Sequence, residues 1–253
     1  MKPPTILLPG LRVLVTGASS GIGATLATML AFRGARVFGA GRQFSGLAAA
    51  LSGTVLADVT AAGANDEIVA AATANLGGLD VVVANAGAGW SGAFEDMSAA
   101  DVDYLVDLDF RAQLQLARAA GPSLLASAGH FVLMGSVAGL VGVPEEVAYS
   151  ACKAGLKGLA DGLRSEWSGR AAVTLVSPGP VATPFFSRRN KPYTRSWPRP
   201  VPAARVAQAT VRAIETRRAD VAVPAWVGLV GRFNGAWPEL YRVLAGANAR
   251  LGN

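Results

Sequence analysis

Short β-rich runs separated by longer helix-forming stretches set the tightest limit on how this chain can fold. RVLVT (12–16), RVFGA (36–40), TVLADV (54–59), LDVVVAN (79–85), HFVLMGS (130–136) and AVTLVS (172–177) read as buried strands, and DVAVP (220–224) as a last one. Between them lie alanine-rich segments with helical periodicity, one opened by Ser98 and Asp101 in a pattern resembling a capping box. Strands alternating with helices imply parallel βαβ units. Right-handed crossovers then give an α/β, doubly wound parallel sheet of about seven strands with helices on both faces. Ligands of such sheets sit at the carboxyl ends of the strands. The 253 residues show no repeat and no linker, so a single dinucleotide-binding and catalytic domain over 1–253 is expected. Proline density over 184–202 excludes a long helix and marks a flexible flap above the site. A helix to about Arg217, the last strand and short tail helices from Trp226 follow over 203–253.

Two local patterns carry chemistry. TGASSGIG (16–23) follows the first strand and opens a helix. Its glycines give a tight turn, let backbone approach a pyrophosphate and aim a helix amino terminus at negative charge. Their G-x-x-x-G-x-G spacing departs from the commoner G-x-G-x-x-G fingerprint. YSACK (149–153) places a phenol and an ammonium four residues apart, on one helical face. Alone, that pair is as well explained by amphipathic spacing.

TGASSGIG, ANAG (84–87), Ser136, YSACK and SPGPVATP (177–184), in this order and spacing, resemble the short-chain dehydrogenase/reductase family, firmly over about 10–184. The resemblance implies a Rossmann-like fold and hydride transfer between a nicotinamide cofactor and an alcohol or carbonyl. It makes Tyr149 the general acid/base, Lys153 its partner and a ligand of the nicotinamide ribose, and Ser136 the holder of the substrate oxygen. A phenol ionises near pH ~10. The ammonium of Lys153 and a positive nicotinamide ring are expected to pull that value down. Where the family usually has asparagine in the preceding helix, this chain has Asp109. A carboxylate can hold the relay water or pair with Lys153 and weaken its effect on Tyr149. Activity with an altered pH profile is expected; the alternative is a catalytically dulled NADP-binding protein acting through a partner or membrane surface.

By the same resemblance the cofactor is held by Gly17, Ser19, Ser20, Gly21, Ile22 and Gly23, by Asp58 and Val59 at the adenine, by Asn85, Ala86 and Gly87 along the adenosine, by Tyr149 and Lys153, and by Pro178, Gly179, Val181 and Thr183 around the carboxamide. NAD users of this fold end the second strand in an acidic residue. Here Gly41 stands in that place and Arg42 follows, a donor fork suited to a 2′-phosphate, so NADP is expected ahead of NAD. An arginine stacked on adenine without discriminating is the other reading. The substrate pocket is expected from Ser136, Trp90, Phe94, Val141, Val143, Phe185 and Phe186. It suits a small hydrophobic ketone, aldehyde or alcohol, with sterol-like, retinoid-like, aromatic and acyl compounds all open.

Composition narrows the partners. The net charge of +6 is uneven: residues 1–184 carry 11 Lys and Arg against 14 Asp and Glu, whereas residues 185–253 carry 12 against 3. Arg188, Arg189, Lys191, Arg195 and Arg199 in the flap suggest either a handle for an anionic group or a solvated loop. The basic tail with Trp226, Phe233, Trp237 and Tyr241 suits core packing, a subunit neighbour or a peripheral membrane contact. No nucleic-acid motif is present. No apolar run nears the roughly 20 residues that span a bilayer, and a lone cysteine excludes an internal disulfide, so a cytoplasmic protein is expected. The family's habit implies a homodimer or homotetramer. Cys152 reads as a buried small side chain, no metal cluster is expected, and His130 reads as partly exposed or hydrogen-bonded rather than catalytic.

Overall fold

The structure is a computed structural model that describes residues 6–44 and 46–251. In chain order its elements are β1 (Arg12–Thr16), α1 (Gly21–Phe32), β2 (Arg36–Gly41), β3 (Gly53–Leu56), α2 (Ala64–Leu76), β4 (Val81–Ala84), α3 (Ala99–Val106), α4 (Ala112–Ala126), β5 (His130–Met134), α5 (Val147–Glu166), β6 (Ala172–Pro178), β7 (Val181–Ala182), α6 (Phe185–Arg188), β8 (Val201–Pro202), α7 (Ala203–Thr216), β9 (Asp220–Val223), α8 (Trp226–Ala236) and α9 (Pro238–Leu251). Seven strands form one parallel sheet in the order β3-β2-β1-β4-β5-β6-β9. The chain leaves β1 in both directions, to β2 and to β4, so a crevice opens at the carboxyl ends of β1 and β4.

Strand alternation sorts the core into two layers. Leu14, Val82, Phe131 and Leu133 point to one face and pack with Leu116 and Leu124 of α4 and Leu156 of α5. Val13, Val15, Val83 and Val132 point to the other, against Leu26 and Leu30 of α1 and Val206, Val211 and Ile214 of α7. Both faces are covered, which is why the strands read as continuous apolar runs. The β3 run is shorter than expected. Asp58 turns back to accept bonds from the Thr60 backbone N–H (2.9 Å) and hydroxyl (2.7 Å), and this turn ends the strand. Ser98 caps α3 as its sequence suggested, accepting from the Asp101 N–H at 3.1 Å. Between α3 and α4 a widened turn, Asp107–Arg111, has π geometry.

His130 is hydrogen-bonded, the second of its two expected settings, and not partly exposed: it is fully buried at the start of β5, 2.6 Å from the Thr174 hydroxyl. Burial, helped by the nearby Arg217 charge, lowers its pKa to about 4. The unfolded ring takes up its proton near pH ~6.5. The folded state therefore loses stability as pH falls from there towards the folded value, about 3 kcal/mol between about pH 7 and about pH 4. Urea unfolding at those two pH values, compared with His130→Asn, isolates this contribution. The variant should lose about 3 kcal/mol less on acidification; equal losses would contradict the assignment.

Candidate active site

The carboxyl end of β1 runs directly into the glycine turn. Gly17 is left-handed (φ +63°), and a Cβ on Gly23 would stand 2.2 Å from the Gly17 carbonyl oxygen, so neither position accepts a side chain. Asn85, at the end of β4, holds the turn: its side-chain amide donates to the carbonyls of Thr16 (3.0 Å) and Gly17 (3.3 Å). Gln113 of α4 in turn donates to the Ala86 carbonyl at 2.8 Å, a support that sequence motifs did not reveal. The first turn of α1 contains no acidic residue, and its N-cap, Ser20, leaves the helix uncapped by side chain.

A cleft of about 1870 Å³ starts at Arg42 and this turn, passes Asn85, Ala86, Gly87, Pro178, Gly179, Val181 and Thr183, and reaches Ser136, Tyr149 and Lys153. Ser19, Ser20, Gly21, Ile22 and Asp109 face it as well, and so do the apolar residues Trp90, Val141, Val143, Phe185 and Phe186. Several expected residues lie elsewhere. Gly23 packs beneath the turn, Asp58 is turned to Thr60, and Val59 is buried in the core, so none of the three lines the cleft. Phe94 sits on a short 3₁₀ turn (Phe94–Asp96) that carries its ring outward, half exposed and away from the cleft.

The chemistry-bearing side chains meet at the inner wall. Ser136 follows β5 in extended backbone and accepts the Ala138 N–H at 3.1 Å. Tyr149 and Lys153 lie on one face of α5, with the ammonium 5.6 Å from the phenol ring centre. Lys153 Nζ is 2.8 Å from Asp109 Oδ1 and donates to the Met134 carbonyl at 3.3 Å. Asp109 Oδ2 accepts the Ala88 N–H at 3.1 Å. This ion pair is closed from water, with side-chain exposures of 5% and 0%. Gly87 makes room for it, since a Cβ there would be 2.6 Å from Asp109 Oδ1. Burial pushes the Asp109 carboxyl upward, against the pull of Lys153 and the Ala88 N–H. Burial works against charge on Lys153 too, but Asp109 and Tyr149 outweigh it and hold the ammonium protonated.

The phenol's pKa is pushed up to about 12, although the expected downward pull of Lys153 is present. Burial is the main cause. Lys153 and a hydrogen bond with Ser136 act in the opposite direction, and Asp109 opposes the lysine's field. Cys152, between the two, is buried with its thiol raised to about 11, so it stays unreactive near neutrality.

Over this wall lies the flap, which holds the one-turn helix α6 and is pinned at its root by the β7–β8 pairing of Val181 with Val201. Phe185 packs on Tyr149 with ring centres 5.7 Å apart and leaves the phenol 8% exposed. Phe186 in turn meets Phe185 edge to face and Tyr193 at a tilt. Two of the five flap cations are committed to acidic partners. Arg189 pairs with Glu146 at 2.6 Å, Lys191 with Glu145 at 2.7 Å, and Asn190 grips the Ser91 backbone at both N–H and carbonyl. Arg195 lines the cleft and Arg199 does not. Acidic Glu145-Glu146 facing Arg189-Asn190-Lys191 is a charge match visible in the sequence, though only folding brings the two segments together. In the tail, Trp226, Phe233 and Tyr241 line the far end of the cleft, with Trp226 stacked on Trp197 of the flap at 5.4 Å, while Trp237 points outward.

Among the described residues no cluster suits a metal ion, and no helix is long and apolar enough to cross a membrane. Residues 12–194 match the family described as short chain dehydrogenase. An uncharacterized oxidoreductase of Staphylococcus aureus (strain USA300) is 35% identical over 186 residues, covering 70% of this chain and 80% of its own length. Another, of Myxococcus xanthus (strain DK1622), is 37% identical over 190 residues, covering 71% and 75%. Among solved structures, a short-chain dehydrogenase/reductase of Burkholderia phymatum in complex with NAD superposes with a TM-score of 0.82 at 23% identity, over 93% of this chain and 96% of that one. A short-chain dehydrogenase of Sphingobium yanoikuyae in complex with NADPH gives 0.78 at 27% identity, over 90% and 96%. With that breadth of match, the chain belongs to the short-chain dehydrogenase/reductase family of oxidoreductases.

Proposed function

We propose that this oxidoreductase uses NADP(H) to interconvert a hydrophobic ketone or aldehyde and its alcohol, with Tyr149 as the proton donor and acceptor. The observation that carries the reading is the meeting of Ser136, Tyr149 and Lys153 on the inner wall of a cleft that begins at an anion-ready glycine turn. Pockets for small ligands usually occupy about 300–1,000 Å³; a cleft of about 1870 Å³ has room for a dinucleotide together with a second molecule. When bound, the reduced nicotinamide supplies hydride. The chain's own residues supply the rest. Ser136 orients the carbonyl oxygen, and Tyr149, kept neutral by burial, delivers a proton as negative charge develops on that oxygen. A phenol this weakly acidic stays protonated near neutrality and is ready to donate in the reductive direction; which direction runs is set by the concentrations of substrate and cofactor. Lys153, held charged by Asp109, would bind the ribose hydroxyls. Phe185, Phe186, Trp90 and Val141 keep water from the reacting centre and select an apolar substrate.

Relatives hold NAD in one case and NADPH in another, so the choice rests on this chain's residues. Gly41 ends β2 against Ser19, where a Cβ would stand 3.1 Å from the serine hydroxyl oxygen. No carboxylate is available there for the ribose hydroxyls. Arg42 is exposed at the rim and makes no salt bridge among the described residues, although its charge reaches Asp58. NADPH should therefore bind more tightly than NADH. Arg42→Ala should lose about 10-fold to 100-fold in NADPH affinity, as expected for a charge-assisted contact, with little change for NADH. Equal affinities in the native protein would remove the phosphate argument. A panel of apolar ketones with NADPH tests the reaction itself: consumption of NADPH is expected, and tight binding without turnover would mean a cofactor-binding protein that has lost its chemistry.

A further inference from the structure

Four consecutive flap residues reach in two directions. Arg189, Asn190 and Lys191 fasten the flap to the substrate side, at Glu146, Ser91 and Glu145. Arg188 turns the other way, across the cleft, and donates from Nη1 to the Ser20 hydroxyl at 2.9 Å. Ser20 is the N-cap of α1, in the glycine turn. Arg188 alone of these three cations makes no salt bridge among the described residues. Its only hydrogen-bond partner there is a neutral hydroxyl at the positive end of a helix, and the first turn of that helix carries no acid. A guanidinium beside helix N–H groups, with most of its donors unused, is a setting that an anion completes. The flap root is already wrapped on the same turn, since a Cβ on Gly21 would meet Thr183 at 3.4 Å.

We infer that Arg188 is a cofactor clamp. It closes over the pyrophosphate from the flap side, opposite the glycine turn, and so ties dinucleotide occupancy to the position of Phe185 over Tyr149. The inference rests on the glycine turn being the dinucleotide site. It assigns to the flap a second function besides walling the substrate pocket: holding the phosphates of the dinucleotide from the side opposite the glycine turn.

The test compares the native protein with Arg188→Gln, an exposed substitution that leaves the core intact. Affinities for NADPH, ADP and adenosine are measured by calorimetry, and cleavage of the flap by trypsin at Arg195, which precedes a serine, is followed with and without saturating NADPH. The expected result is a loss of about 10-fold to 100-fold in affinity for NADPH and ADP, with adenosine unchanged. NADPH should protect the native flap, and the variant's flap should stay cleavable even when saturated. Equal affinities and equal protection would overturn the clamp while leaving the dinucleotide reading in place. An equal loss for adenosine would also overturn it, because the defect would not lie at the phosphates. If the native protein binds neither NADPH nor NADH, both readings fail.

Discussion

Tyr149→Phe is expected to lower the rate of ketone reduction by about 100-fold to 10,000-fold, the range typical of a removed general acid, while NADPH affinity stays within a few-fold of native. The substitution deletes one oxygen. The ring keeps its packing on Phe185 and its place on α5, so the loss isolates proton delivery. Stability should change little, because Ser136 retains its bond from the Ala138 N–H. Stopped-flow decay of NADPH absorbance under single-turnover conditions is the appropriate readout, since it separates the chemical step from product release. A variant that keeps more than about a tenth of the native rate would mean that protonation comes from elsewhere, water included.

Breaking the buried pair should produce the largest effect on stability. Lys153→Met leaves the Asp109 carboxylate fully buried with only the Ala88 N–H as a donor, and should cost about 3–5 kcal/mol. The double variant Lys153→Met with Asp109→Leu removes both charges and fills the space with apolar atoms, so most of that loss should return. Activity should not return with it, because the ammonium beside Tyr149 is still missing. Chemical denaturation of the native protein, the single variant and the double variant closes this cycle. If the double variant is as unstable as Lys153→Met, the pair is not a compensated charge couple and the destabilisation comes from packing alone.

The strand pattern and the glycine turn were legible because their causes are local. Apolar runs bounded by turn residues identify buried strands, and all seven expected strands lie in the parallel sheet. Where a side chain redirects the backbone, the reading overshot: the Asp58 turn onto Thr60 ends β3 earlier than its apolar run suggests. Tyr149 and Lys153 could be placed on one helical face from their spacing alone. The direction of the Tyr149 shift could not, because it depends on how deeply Phe185 covers the ring and on where Asp109 points, and both follow from non-local packing. The same holds for the flap. Its cations were visible, but whether they face a ligand, solvent or Glu145 and Glu146 is decided by a chain reversal of more than 40 residues. His130 illustrates the reverse case: its strand was clear, yet only the position of β5 in the interior of the sheet, between β4 and β6, shows that the ring is wholly enclosed.

The central claim is that Tyr149 stands in the cleft as a neutral, weakly acidic proton donor, its lysine's field opposed by Asp109. The most direct measurement is the pH dependence of single-turnover NADPH oxidation with a saturating apolar ketone, from about pH 6 to about pH 9. A phenol pushed up to about 12 stays protonated throughout that interval, so the rate should be flat. A rate that falls with an apparent pKa near neutrality, and loses that dependence in Tyr149→Phe, would show an acidified phenol and contradict the account.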